Sequence, residues 1–170
     1  MSSIPPNVRI TEATAADISA ISVFFHEMWR QAGPDSPGFA GATESVIAEI
    51  AEPEAIRPRL GGPERRMFLA YERESVVGFA ATRAIDTATI ELAGIVVLQS
   101  KLGRGIGALL VEKAVQSARQ HRFDRMAVST EVANDTALGF YQAHGFEFVG
   151  ESTATVEGTA VAVSNLERTL

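Results

Sequence analysis

The sequence predicts a mixed α/β fold, with strands and helices alternating in one domain of 170 residues. Short runs of β-branched and aromatic residues alternate with longer segments of helical periodicity. A glycine-rich turn joins a strand directly to a helix beyond the middle of the chain. No repeat, low-complexity tract or linker divides the sequence, so we expect a single domain over residues 1–170.

The N-terminal region predicts a strand and a capped helix. Val8–Ile10 alternates as a short strand does, and Thr14–Asp17 has the spacing of a capping box for the helix that follows. The apolar residues of this helix recur at helical spacing: Ile18, Ile21, Phe24, Phe25, Met28 and Trp29. A stripe of this kind packs one face of a helix on the hydrophobic core.

The next segment predicts a second helix and a pair of strands. A loop rich in glycine and proline reaches Thr43, a helix spans about 44–52, and the following run to Pro63 is irregular. Met67–Tyr71 and Val76–Ala81 have strand character, and a polar turn joins them.

The C-terminal half continues the alternation of strands and helices. The apolar run Leu92–Leu98 has strand length, a helix spans about 106–121, and Arg125–Thr130 is the next strand. Asn134 caps a further helix, and Gly145 follows the end of that helix, where a left-handed residue is usual.

The chain ends in a predicted hairpin. Phe146–Val156 and Ala160–Leu166 have strand character, and Glu157–Gly158 forms the turn between them. The order of elements is therefore β-α-α-β-β-β-α-β-α-β-β.

The turn between the central strand and its helix has glycines at positions 103, 105 and 107. Glycine removes the side chain where the backbone must turn sharply. The backbone N–H groups of such a turn can point at an anion that lies on the positive end of the following helix. A phosphate-bearing ligand is therefore the first functional hypothesis.

Together with the segment that follows Asn134, this turn resembles the GCN5-related N-acetyltransferase (GNAT) superfamily. In that family a Q/R-x-x-G-x-G/A turn holds the pyrophosphate of acetyl-CoA, and an N-x-x-A-x-x-x-Y-x-x-x-G-F segment follows after one strand. The chain has these residues of the two motifs: Gly105, Gly107, Asn134, Ala137, Tyr141, Gly145 and Phe146. It departs from the family pattern at Leu102, where Gln or Arg is usual, and at Gln99, where proline often stands.

The resemblance implies a seven-stranded, mostly antiparallel sheet with helices on both faces. In family members the fourth and fifth strands are parallel and splay apart, and the pantetheine arm lies in the resulting gap. In this chain that pair would be the two strands that the helix beginning at Ile106 connects.

The resemblance also implies an acyl-CoA-dependent N-acyltransferase that moves an acetyl group from acetyl-CoA to a primary amine by direct attack. Acetyl-CoA would be a co-substrate, and we expect no metal because the three histidines show no metal-ligand spacing. The absence of cysteine agrees with a mechanism without an acyl-enzyme. The residues that would bind the cofactor are Ile95, Val96, Val97, Leu102, Gly103, Arg104, Gly105, Ile106, Gly107, Ala108 and Asn134.

Tyr141 lies on the buried side of an amphipathic helix, where a half-buried tyrosine commonly bonds to the backbone. The family pattern implies another role, in which this tyrosine protonates the departing thiolate of coenzyme A. A phenol with an ordinary pKa near 10 is protonated at neutral pH and suits this task. We therefore expect Tyr141 to be the general acid.

Strand alternation predicts that Glu91 shares one face of its strand with Ala93, Ile95 and Val97. An acid at the head of an apolar strand needs solvent, a partner or a task. Histone-type members of the family have a glutamate general base at the matching place, whereas many others use a water chain or a different residue. Glu91 is therefore a candidate base for the amine proton, and a solvated or salt-bridged strand end is the alternative.

Two other functions fit parts of the sequence. Gly103–Ala108 also fits G-x-G-x-x-A, and Glu131 closes the next strand near the spacing of a ribose-binding acid in dinucleotide sites. Only about 40 residues follow Glu131, too few for the remaining strands of that fold. A non-catalytic acyl-CoA-binding module on the same fold would keep the glycines and leave Tyr141 idle.

The sequence leaves the acceptor open among small amines, amino acids, antibiotics and protein N-termini. In the family the first two helices and the final hairpin shape the acceptor site, which correspond here to residues 22–52 and 151–163. Glu27, Asp35 and Glu44 lie in or beside the loop over 32–42 and could face a cationic amine.

Composition restricts the partners and the location. A net charge of −6 argues against nucleic acid, whose phosphates require a basic surface. No apolar run approaches the roughly 20 residues that span a bilayer, so we expect no membrane partner. Because the chain has no cysteine and no secretory pattern, we expect a cytoplasmic protein. Dimers are common in the family that it resembles, which leaves a homodimer open.

Overall fold

The computed structural model describes residues 7–32, 44–156 and 158–170. In this part of the chain seven strands form one sheet, in the order β1-β2-β3-β4-β5-β7-β6. The strands are β1 (Val8–Glu12), β2 (Arg65–Glu72), β3 (Ser75–Ala84), β4 (Thr89–Val97), β5 (Arg125–Glu131), β6 (Glu147–Val156) and β7 (Thr159–Thr169). Only β4 and β5 pair in parallel, which confirms the predicted mixed and mostly antiparallel sheet.

The helices are α1 (Ile18–Ala32), α2 (Glu44–Ile50), α3 (Pro53–Ile56), α4 (Ile106–Gln120) and α5 (Asp135–Ala143). The helix predicted over 44–52 ends at Ile50, and the stretch predicted to be irregular contains α3 and a 3-10 turn at Arg57–Arg59. Pro53 is in the first turn of α3, where the fixed φ of proline and its missing N–H are favourable. Pro53 therefore begins a helix in a stretch for which the sequence pattern predicts none.

Local side chains start α1 as predicted. Thr14 and Asp17 form a capping box, in which the N–H of Thr14 donates to Oδ2 of Asp17 at 2.8 Å. The box opens a 3-10 turn over Ala15–Asp17, and α1 begins at the next residue. The hydroxyl of Tyr71 donates to the other carboxylate oxygen of Asp17, which joins the start of α1 to β2.

Adjacent residues of β3 pack against helices on opposite faces of the sheet. Phe79 meets Phe24 and Phe25 of α1 edge to face, with ring centroids 5.7 and 5.4 Å apart. On the other face Gly78 lies under α4, where a Cβ atom would come within 3.2 Å of Leu110. The predicted placement of helices on both faces is therefore confirmed.

The parallel strands β4 and β5 part soon after they begin. Thr89–Glu91 pairs with Arg125–Ala127, and the two strands do not pair beyond these residues. β4 continues beside β3 to Val97, and β5 continues beside β7 to Glu131. The splayed pair is therefore confirmed, and its gap opens toward the glycine-rich turn.

A β-bulge in β4 changes which side chains share a face. The pairing of β4 with β3 shifts at Ala93, which has no partner across the strand. A bulge moves the residues that follow it to the other side of the sheet. Ile95 and Val97 therefore share a face with Leu92. The prediction that they share the face of Glu91 is wrong, because it assumed unbroken alternation.

The C-terminal hairpin is confirmed, with β7 longer than predicted. β7 pairs with β6 along one edge and with β5 along the other, so pairing continues to Thr169. This arrangement leaves β6 at one edge of the sheet and β1 at the other edge.

Candidate active site

The glycine-rich turn connects the end of β4 to α4. A 3-10 turn at Gln99–Lys101 follows the strand, and Gly103 and Gly105 both have φ of +79°. Gly105 is the N-cap of α4. Because residues with a Cβ atom are strained in this left-handed conformation, the backbone itself requires glycine at these two positions.

The consecutive backbone N–H groups from Gly103 to Ala108 have no hydrogen-bond acceptor in the described part of the chain. The first N–H with a partner is that of Leu109, which donates to the carbonyl of Gly105 at 3.2 Å. The unpaired donors lie at the positive end of a helix of 15 residues. A group of free N–H donors in this place can hold a phosphate.

Gly107 has a packing role that the sequence did not reveal. A Cβ atom at Gly107 would come within 3.3 Å of the ring of Phe140 on α5. The glycine therefore lets the first turn of α4 lie close to α5, the helix that carries Tyr141.

The cationic side chains of the turn share one carboxylate. Nη1 of Arg104 lies 2.8 Å from Oε2 of Glu72, and Nζ of Lys101 lies 3.0 Å from Oε1 of the same residue. The hydrogen bond from Lys101, together with the one from Arg104, holds the pKa of Glu72 below its usual range. Leu102 lies between the two cations in sequence, and 55% of its surface is exposed.

Arg104 and Leu102 are among the residues predicted to bind the cofactor, whereas Glu72 and Lys101 are not. The end of β2 and the turn after β4 are far apart along the chain, so no local motif could show their contact.

Ile95, Val96 and Val97 line the gap between β4 and β5. All three are half-buried, and they lie beyond the last residue of β4 that pairs with β5. The edge of β4 that faces the gap therefore has backbone groups without a strand partner. An extended ligand could pair with these groups as a strand would.

Tyr141 is 8% exposed and packs between an aromatic ring of α5 and the ring of Phe146, which directly precedes β6. Its ring centroid lies 5.5 Å from that of Phe140 and 5.7 Å from that of Phe146. Burial raises the pKa of Tyr141 to about 12. Its hydroxyl forms no hydrogen bond with the described residues, so the alternative of a backbone-bonded tyrosine is not observed.

Glu91 lies at the base of the gap, as the last residue of β4 that pairs with β5. Its Oε2 accepts from Nη2 of Arg83 at 2.6 Å, and a quarter of its side chain (25%) is exposed. The salt-bridged strand end, one of the two readings of Glu91, is thus observed. Oε1 of Glu91 has no partner among the described residues and can still accept a proton.

Asn134 caps α5 as predicted, since its Oδ1 accepts from the N–H of Ala137 at 3.1 Å. His121 and His144 each direct Nδ1 to a backbone carbonyl at the end of a helix, 2.7 Å away in both cases. In the described part of the chain no cluster of three or more His, Asp or Glu side chains could hold a metal ion. No helix there is long and apolar enough to cross a membrane.

Of the acids predicted near the acceptor, the side chain of Glu27 is described. It accepts from Arg30 and from Gln31, and the hydrogen bond from Arg30 is the main reason that its pKa falls to about 2. Oε1 of Gln31 accepts in turn from the N–H of Ser100, which ties α1 to the start of the turn after β4. Asp35 lies outside the described residues, and Glu44 begins α2.

The sheet topology removes the basis of the dinucleotide alternative. A doubly wound dinucleotide domain has a mainly parallel sheet, whereas this sheet has one parallel pair. Glu131, its candidate ribose-binding acid, pairs with Val163 at the end of β5.

Comparison with known proteins gives consistent matches. The profile of the acetyltransferase (GNAT) family matches residues 25–146. The uncharacterized N-acetyltransferase YsnE of Bacillus subtilis is 23% identical over 105 residues, which are 58% of this chain and 70% of that protein.

Solved structures match across almost the whole chain. The PaiA N-acetyltransferase of Thermoplasma acidophilum in complex with coenzyme A has a TM-score of 0.72 at 16% identity, covering 96% of this chain and 99% of that one. A GNAT family acetyltransferase of Elizabethkingia anophelis with acetyl-CoA bound has a TM-score of 0.67 at 16% identity, covering 98% of this chain and 100% of that one. At these identities the matches establish the fold.

Proposed function

The chain belongs to the acetyltransferase (GNAT) family, and on that premise we propose that it transfers an acetyl group from acetyl-CoA to a primary amine by direct attack. The observation that supports this most strongly is the row of unpaired N–H groups from Gly103 to Ala108, at the open end of the gap between β4 and β5. A pyrophosphate on these donors would direct the pantetheine arm into the gap.

We assign the cofactor contacts as follows. The N–H groups of Gly103–Ala108, including the backbone N–H of Arg104, bind the pyrophosphate, with Leu102 beside it. Main-chain groups of Ile95–Val97 pair with pantetheine, and one N–H there polarises the thioester carbonyl. Asn134 contacts the arm from the start of α5. The free edge of β4 supports this assignment, because an extended ligand can use it without disturbing the sheet.

In the proposed reaction a neutral amine attacks the thioester carbon, and the C–S bond breaks as the amide forms. Tyr141 donates its hydroxyl hydrogen to the sulfur as negative charge develops there, and the proton that the nitrogen loses as it becomes an amide restores the phenol through water. A phenol with a pKa of about 12 stays protonated throughout the physiological range, so the donor is present when the thiolate leaves.

The attacking amine must first lose a proton. We propose that Oε1 of Glu91 receives it, directly or through water, while Arg83 holds the other carboxylate oxygen. The position of Glu91 at the base of the gap supports this role. A chain of water molecules without Glu91 is the competing route, and substitution of Glu91 separates the two.

The test is an assay of thiol release from acetyl-CoA over a panel of polyamines, amino acids, aminoglycosides and peptides with free N-termini. The proposal requires release that depends on the amine, together with initial-rate patterns of a ternary complex. Tight binding of acetyl-CoA with no release over the whole panel would instead support the alternative of a non-catalytic acyl-CoA-binding module.

A further inference from the structure

The ion pairs at the turn after β4 form a cluster that we call the Glu72 triad, made of Glu72, Lys101 and Arg104. Both oxygens of Glu72 are engaged, one by each cation, at 3.0 and 2.8 Å. The three side chains are 22%, 29% and 36% exposed in that order. The cluster is therefore half-buried and reachable by a charged ligand.

The triad lies directly beside the free N–H donors. Arg104 is itself one of the residues with an unpaired N–H, and Lys101 ends the 3-10 turn just before them. The segment is also tied to α1, because the N–H of Ser100 donates to Oε1 of Gln31 at 3.0 Å. The two cations are thus anchored at the rim of the phosphate-binding turn.

Coenzyme A carries two separate phosphate groups, a pyrophosphate and a phosphate monoester on the ribose. The free N–H groups suit the pyrophosphate, whereas a monoester dianion needs cations. Leu102 supplies no polar side chain at the rim, so the charge available there comes from the triad.

We propose that Lys101 and Arg104 form a second anion site, for the ribose phosphate of coenzyme A, and that Glu72 occupies this site until the cofactor binds. The inference rests on the proposed function, since it assumes that coenzyme A is the ligand. Glu72 is a stand-in anion here: its carboxylate meets the same two cations that the phosphate would meet.

This arrangement has an electrostatic consequence. The triad as a whole carries one net positive charge, because one carboxylate offsets one of the two cations. Glu72 is ionised at neutral pH, and the two cations lower its pKa further. The phosphate must therefore displace this carboxylate from the cations or share them with it. Glu72 therefore weakens the binding of coenzyme A and speeds its release, and removing its charge strengthens binding.

The experiment compares dissociation constants of coenzyme A and 3′-dephospho-coenzyme A by calorimetry. Glu72→Gln, a substitution of nearly equal shape, should lower the Kd of coenzyme A about three- to tenfold. It should leave the Kd of the dephospho compound unchanged. In 1 M salt, where the Debye length is about 3 Å, the difference should disappear.

Two further variants isolate the effect. Glu74→Gln removes the same charge from an exposed acid two residues away that has no ion pair in the described structure, and it should change neither Kd. Lys101→Gln with Arg104→Gln should raise the Kd of coenzyme A and abolish the effect of Glu72→Gln.

An unchanged or raised Kd of coenzyme A in Glu72→Gln would overturn the inference. An equal gain for the dephospho compound would also overturn it, because Glu72 would then act on the pyrophosphate. Failure of the wild-type protein to bind either compound is a different result, since it would contradict the proposed function itself.

Discussion

The two ends of the gap between β4 and β5 differ in the groups that they offer to a ligand: backbone groups at one end and a side chain at the other. At the open end, the turn from Gly103 to Ala108 offers backbone N–H groups, and three of its six residues are glycines without a side chain. At the closed end, Glu91 offers a carboxylate that depends on its neighbour Arg83. Binding of the pyrophosphate should therefore depend mainly on the backbone conformation of the turn, whereas the proposed chemistry depends on single side chains.

The largest expected effect is at the chemical end. Tyr141→Phe should lower kcat by about 10²–10⁴-fold, the usual contribution of a general acid, and leave acetyl-CoA binding nearly intact. Because burial raises the pKa of Tyr141 to about 12, its ionisation should not reduce the wild-type rate between pH 7 and pH 10. Steady-state rates across this range check both points.

The control is Tyr71→Phe, the same change at the only other tyrosine. Tyr71 bonds to Asp17 away from the gap, so this variant should lose about 1 kcal/mol of stability and keep its kcat. An unchanged kcat in Tyr141→Phe would remove Tyr141 from the mechanism.

The next effect is at the base of the gap. Glu91→Gln should lower kcat by about 10²-fold at neutral pH, with partial recovery at higher pH where more of the amine is already neutral. Arg83→Gln is the matched variant, because it removes the ion pair of Glu91 and leaves the carboxylate of Glu91 in place. If Glu91→Gln has the wild-type rate and pH profile, the amine proton leaves through water without Glu91.

A smaller effect is expected at the backbone end. Gly105→Ala places a Cβ atom at φ of +79° and reshapes the turn, so it should weaken acetyl-CoA binding about tenfold, roughly one hydrogen bond to a charged group. Gly61→Ala is the control, with φ of +64° and open space around it. Both variants should lose stability by a similar amount, and equal Kd values would contradict binding of the pyrophosphate by the N–H groups of the turn.

The smallest effect is expected at Leu102. Leu102→Gln restores the polar residue of the family pattern at an exposed position, and it should tighten acetyl-CoA binding by only about two- to threefold. The measurement is the Kd of acetyl-CoA by calorimetry. A gain of a hundredfold would mean that side chains, more than backbone N–H groups, determine affinity at this end.

The same contrast explains how much the sequence could predict. The capping box at Thr14, the cap at Asn134 and the glycines at 103 and 105 depend on residues within a few positions of each other. Such local features have distinctive patterns, and together with the GNAT resemblance they gave the order of elements and the splayed strands.

The parts that the sequence could not predict depend on distant residues or on an irregularity. The ion pairs of Glu91 with Arg83 and of Glu72 with Lys101 join different strands and turns. The bulge at Ala93 reverses the faces of β4, and nothing in the run of apolar residues marks it. The positions of the side chains at the closed end therefore could not be predicted from the sequence.

Every role proposed for these residues requires that the gap and its turn bind coenzyme A. We would test it first by the thermal stability of the protein with acetyl-CoA, coenzyme A, NAD+ and NADP+, each at saturating concentration. A ligand at about 100 times its Kd adds about 2.7 kcal/mol, a shift of a few degrees for a chain of this length. We expect stabilisation by the two coenzyme A species alone. Stabilisation by a nicotinamide dinucleotide alone would contradict it.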